Sequence, residues 1–186
     1  MSILWSEPCV PPAVDDAVLK RFLRFPMHRP FEGELSAAEQ WVRAWFAEHG
    51  RPWSCAVTGD RELHEWLRPR FSGETELVIV AVSAGPEAET AAAEEWAQDR
   101  PDRYYFLECY AAAAVDSLLR AARLRLGAVK HFCPGYPGWP IEENVLLLAS
   151  LRRRLTVPGS LEALASGMLW PKKSQLAVCA LPEVRQ

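Results

Sequence analysis

An almost unbroken apolar run spans 76–83 (ELVIVAVS). It is short, rich in β-branched residues and nearly free of polar positions, which predicts a strand covered on both faces. Elsewhere the period is helical. In 15–23 (DDAVLKRFL) apolar residues recur at helical spacing behind two acids, predicting a short helix. Ser36-Ala37-Ala38-Glu39 reads as a capping box opening an amphipathic helix. That helix carries Trp41, Val42, Trp45 and Phe46 on one face and stops at Gly50. A short strand is expected over 54–58 and a short helix over 60–67. After 83, Pro86 begins a helix to about Gln98, and Arg100-Pro101 breaks it. One long helix follows over 102–126, with alanines at 111–114 that allow close packing and Gly127 as its stop. The rest reads as a strand (128–132), a helix (141–151), a loop with a short turn (155–164) and two strands (166–170 and 175–181).

Helices, a strand, a helix pair, a strand, a helix and two strands make a mixed order. It predicts an α+β fold with a mixed or partly antiparallel sheet and flanking helices. No repeat or low-complexity linker interrupts the chain, so a single domain over 1–186 is expected. Residues 1–33 supply an arm, kept extended by Pro8, Pro11 and Pro12, and a short helix. Composition agrees with a globular chain: 49% hydrophobic and 24% charged among 186 residues. The net charge of −3 argues against nucleic acid as a partner, because neutralising phosphates needs a basic surface. No apolar stretch approaches the ~20 residues of a membrane span. The first residues lack the basic and apolar regions of a signal peptide, so a cytoplasmic protein is expected.

Candidate chemistry narrows the picture further. Five scattered cysteines (Cys9, Cys55, Cys109, Cys133, Cys179) contain no CxxC pair, and the four histidines are isolated, so no metal site is expected. Cys133-Pro134-Gly135-Tyr136-Pro137-Gly138-Trp139-Pro140 packs three prolines, two glycines and two aromatics between a strand and a helix. Glycine allows close backbone approach and proline stiffens the loop. Such a corner either plugs the core with its aromatics or presents Tyr136 and Trp139 to a planar ligand. The glycine spacing fits neither a dinucleotide fingerprint nor a P-loop. Glu142 and Glu143 are explained by the positive end of the helix they open. Lys172-Lys173-Ser174 reads as a solvated turn or as a contact for an anion. His131 and Cys133 lie two apart on a strand, which shares a face without arranging proton transfer. No catalytic dyad or triad emerges, and the chain reads as a binding domain with one rigid aromatic loop.

HFCPGYPGWPIEENVLLLASL (131–151) and LASGMLWPKKSQLAVCAL (164–181) resemble the activation (reactivation) domain of cobalamin-dependent methionine synthase, and above all its short stand-alone relatives. Pro134, Gly135 and Tyr136 match the family's Arg-x-x-Pro-Gly-Tyr stretch, and Pro140 leads the helix after it. Met168, Pro171 and Ser174 match a second element. The alanine-rich helix (108–119) and, more weakly, 18–33 are similar as well. The resemblance implies a methionine synthase activation domain-like fold that binds S-adenosylmethionine. It implies a site at His131, Cys133, Gly135 and Tyr136, with His131 standing where the family has Arg. It further implies an accessory role in methionine biosynthesis rather than a complete enzyme. Cobalamin would be carried by a partner, a corrinoid-binding methyltransferase or truncated methionine synthase, and a flavoprotein would supply the electron. The alternative is an interaction module that keeps the fold without the methyl donor and docks a partner through exposed tryptophans.

Overall fold

The computed structural model describes residues 2–67, 69–71 and 76–182. The chain runs β1 (Ile3–Glu7), α1 (Asp16–Phe22), α2 (Gly33–His49), β2 (Trp53–Thr58), α3 (Arg61–Leu67) and β3 (Leu77–Ser83). It continues through α4 (Glu87–Ala97), α5 (Pro101–Leu126), β4 (Lys130–Phe132), α6 (Asn144–Arg152), β5 (Glu162–Ala163), β6 (Leu169–Trp170) and β7 (Ser174–Ala180). A 3-10 turn, Ile141–Glu143, leads into α6.

Five strands form one sheet in the order β1-β2-β3-β7-β4. Every neighbouring pair is antiparallel, which resolves the expected mixed or partly antiparallel sheet. The fold class is α+β with helices flanking the sheet. β3 sits at its centre and is buried along its whole length. Its alternate residues serve two different cores. Val78, Val80 and Val82 pack with α1, α2, α4 and α5, while Leu77, Ile79 and Ala81 pack with α3, α6 and Trp139. The 111–114 alanines lie in α5, where Ala111, Ala113 and Ala114 join the first core and let the helix approach the sheet closely. Gly127 closes α5 with φ +60°, as a helix stop requires. No described helix is long and apolar enough to cross a membrane.

Three local expectations are corrected. The residues read as a capping box do not cap: α2 begins at Gly33, behind an extended Glu32 that makes no side-chain cap. Gly33 takes φ +55°, a turn glycine permits, so the chain enters the helix ahead of Ser36. Ser36 Oγ instead accepts from Gln40 Nε2 at 3.3 Å. The strand expected over 166–170 shrinks to β6, which pairs with β5 in a separate two-stranded hairpin rather than with β7. Part of the extended arm becomes β1, paired to β2 with a register shift between Ile3 and Trp5.

Ile79 is fully buried at the middle of β3. Ile79→Ala should lower the free energy of unfolding by about 2–5 kcal/mol, from lost burial and the cavity left behind. Urea denaturation monitored by tryptophan fluorescence measures it, and a loss below about 1 kcal/mol would show that the second core is not tightly packed there.

Candidate functional site

β4 delivers the chain to the Pro/Gly-rich corner. Lys130, His131 and Phe132 lie opposite Ala180, Cys179 and Val178 of β7. Two consecutive turns follow. Tyr136 N–H donates to the Cys133 carbonyl at 3.0 Å, and Trp139 N–H donates to the Tyr136 carbonyl at 2.9 Å. Gly135 N–H then closes the corner on the Trp139 carbonyl at 2.8 Å. Gly135 and Gly138 take φ +93° and +83°, so a side chain at either would strain this path.

The two aromatics of the corner part ways. Trp139 is sealed in the second core at 2% exposure. Its ring stacks on Phe132 at 5.9 Å and meets Trp66 edge-on at 6.2 Å. A buried indole N–H needs an acceptor, and Glu143 supplies one: Trp139 Nε1 donates to Glu143 Oε2 at 2.5 Å. Arg70 lies over the same ring at 5.2 Å and donates to Glu143 Oε1 at 3.2 Å. Glu143 is thus an anchor for the corner, beyond the helix-opening role expected from the sequence. Of the two readings of the corner, Trp139 follows the first and plugs the core. Tyr136, by contrast, stays 38% exposed, beside His131 (6.0 Å between rings) and Phe132 (5.7 Å).

Cys133 is 1% exposed. Gln175 Nε2 donates to its sulfur at 3.2 Å. Burial pushes the thiol up to about 11, against the opposing hydrogen bonds of Tyr136 and Gln175. A thiol held protonated in this way is no nucleophile at neutral pH. Any ligand contact at residue 133 therefore falls to its backbone. His131 is half-buried, and burial lowers its pKa, with the Arg123 charge lowering it further and Asp116 opposing. The imidazole is neutral at pH 7 and offers no fixed charge to an anion.

An open cleft of ≈ 180 Å³ lies next to the corner. Pro134 of the corner, Asn144 of α6, and Met168, Lys172, Ser174 and Gln175 are among the residues around it. The two sequence segments singled out above, 131–151 and 164–181, thus meet across one depression. Gln175 links the cleft to Cys133 and Tyr136. The lysines here are not a free solvated turn. Lys172 Nζ and Lys173 Nζ clasp the two oxygens of Glu108 on α5, at 2.6 and 3.2 Å. Burial raises the Glu108 pKa, but the two lysines outweigh it and hold the carboxyl below its usual range. Ser174 Oγ bonds Ser83 Oγ at 2.8 Å. Among the described residues no group of three His, Cys, Asp or Glu could hold a metal ion.

The fold has a counterpart among solved structures. A crystal structure of the MetH reactivation domain bound to AdoHcy superposes with a TM-score of 0.62. The fold is that of the reactivation domain. The match covers 82% of this chain and 66% of the other, so the chain spans just under two thirds of that domain's length. Identity over it is 12%, which makes the likeness one of backbone architecture. No family model matches the sequence, and no curated protein does either.

Of the residues expected at a site, Gly135 and Tyr136 lie at the surface of the corner, His131 lies beside them, and the Cys133 side chain lies beneath. Glu143, Gln175, Asn144 and Glu108 were missed. Glu143 alone left a trace in the sequence, four residues after Trp139 at helical reach.

Two outcomes follow from this chemistry. Cys9 is exposed and the other four thiols are buried. A colorimetric disulfide reagent at pH 8 should titrate one thiol in the native protein and five after unfolding; fast native labelling of Cys133, located by peptide mapping, would contradict the sealed corner. His131 gives the other. Its pKa is lowered on folding, so the stability it contributes is complete above the unfolded value of about 6.5 and is lost as the pH falls from there through the lower folded value. Wild type should therefore lose stability more steeply than His131→Gln between pH 7.5 and 5.5, measured by denaturant midpoints. Parallel curves would show the imidazole to be solvated.

Proposed function

We propose that this chain binds S-adenosylmethionine at the 133–140 corner and the adjoining cleft. It would serve as an accessory domain for remethylating a corrinoid carried by a partner protein. The observation that carries this reading is the open cleft at the meeting of the two segments, beside an exposed Tyr136, in a fold shared with a reactivation domain bound to AdoHcy.

The chain's residues suit a nucleoside better than a catalytic step. A Cβ at Gly135 would only touch Ile141 carbons at 3.7–3.8 Å, so it is the φ of +93° and not crowding that calls for glycine there, and its exposed backbone is open to a ligand. Tyr136 offers a half-exposed ring for a planar group. His131 stands near with donor and acceptor nitrogens but no charge at pH 7. No general base or nucleophile is needed. When bound, the sulfonium supplies the methyl group. The partner's corrinoid, fully reduced by one electron from a flavoprotein, would accept that methyl carbon and leave S-adenosylhomocysteine. The partner, a corrinoid-binding methyltransferase or truncated methionine synthase, brings the cobalamin.

A second reading has its own observation. Leu146, Leu164, Met168 and Trp170 are all 42–57% exposed on the α6 and β5–β6 elements, which suits an interaction module that docks a partner with no nucleoside. Partner capture that is indifferent to the methyl donor would favour it.

Isothermal titration decides the primary reading. S-adenosylmethionine should bind, and Tyr136→Ala should weaken it by about tenfold through lost stacking. Absence of heat and of competition at millimolar ligand would remove the proposal. His131→Arg should tighten S-adenosylmethionine, whose carboxylate would gain a permanent cation, and leave 5′-methylthioadenosine unchanged. Equal effects on both compounds would contradict the carboxylate assignment.

A further inference from the structure

Asn144 opens α6 and is 5% exposed. Its Nδ2 donates to the Gly167 carbonyl at 2.9 Å. Its Oδ1 is buried and receives no hydrogen bond among the described residues. Turning the amide over would set Oδ1 against the Gly167 carbonyl, acceptor against acceptor, so the orientation is fixed. The Gly167 turn is also packed closely on the start of the helix. A Cβ there would stand 2.3 Å from the Ile141 carbonyl oxygen, which shows how tightly this backbone is pressed on the start of the helix. A buried acceptor without a donor is unfavourable by itself and is uncommon in folded proteins.

Asn144 also lines the cleft. The neighbouring polar groups there have partners already: Lys172 on Glu108, Ser174 on Ser83, and the Gln175 amide nitrogen on Cys133. The rest of the wall is apolar, with Pro134, Ile141, Met168, Leu169 and Leu176. We infer that the cleft takes a flat heterocycle presenting one neutral N–H donor to Asn144 Oδ1. An ammonium does not suit it, because a lone amide oxygen cannot replace the hydration of a charge. Size agrees: ≈ 180 Å³ falls below the ~300–1,000 Å³ of pockets that hold whole drug-sized ligands, so the cleft takes one ring system while the remainder lies outside. The inference rests on the nucleoside reading above, in which the heterocycle is adenine and the donor its 6-amino group.

The test compares S-adenosylhomocysteine with its purine analogue, in which hydrogen replaces the 6-amino group, by calorimetry on the wild-type chain. The adenine compound should bind about tenfold or more tightly, the range expected when a buried acceptor gains or lacks its donor. Its binding should also shift the Asn144 side-chain amide signals in a 15N-correlated spectrum, assigned by their loss in Asn144→Asp. Equal affinities, or binding that leaves the Asn144 amide unmoved, would overturn this inference and leave the nucleoside reading standing. Failure of both compounds to bind would overturn both.

Discussion

The middle of the sheet has no wet face. β2, β3 and most of β7 are buried on both sides, because helices pack on one surface and α3, α6 and the 133–140 corner pack on the other. Antiparallel sheets commonly leave one side to solvent. Here that option is closed, and the central strands must be almost wholly apolar or small. Polar chemistry is thereby displaced to the strand ends and to the loops that leave them. The corner after β4 and the cleft beside it are where the chain can be both rigid and polar.

Rigidity at that corner comes from one ring. Trp139 is driven into the second core by its area, and its N–H then demands a partner inside. Glu143 meets the demand, and Arg70 offsets the carboxylate charge while covering the ring. With Trp139 fixed, Gly135 and Tyr136 are held outward without contributing to the core themselves. The loop therefore does both things its composition allowed: one aromatic plugs the interior and the other remains available.

Most of the element order was legible in the sequence, since the 76–83 run, the helix breaks at Arg100-Pro101 and Gly127, and the Pro/Gly-rich corner carry strong local signals. Pairing was less so. Nothing local tells 166–170 to pair with 162–163 rather than with the next strand, because register is a tertiary choice. The capping box failed for a related reason. Ser36 had the right neighbours, but Gly33 gave the chain an earlier turn. At the site, Gly135 and Tyr136 were legible as loop residues. Glu108, Gln175 and Asn144 were not, because each gains its role from a residue more than twenty positions away: Lys172, Cys133 and Gly167. Burial, too, is invisible in a motif, which is why Trp139 and Tyr136 looked alike.

The sheet's two borders carry a last consequence. β4 offers only three residues, and β1 is irregular between Ile3 and Trp5. Long, flat borders are templates for stray strand addition, and short or kinked ones deny a foreign chain the run of hydrogen bonds it would need. A protein whose middle strands are this greasy is exposed to self-association whenever such a border is left ready. By keeping both margins brief or bent, this chain resists strand addition at its borders without placing a single charge in its interior strands.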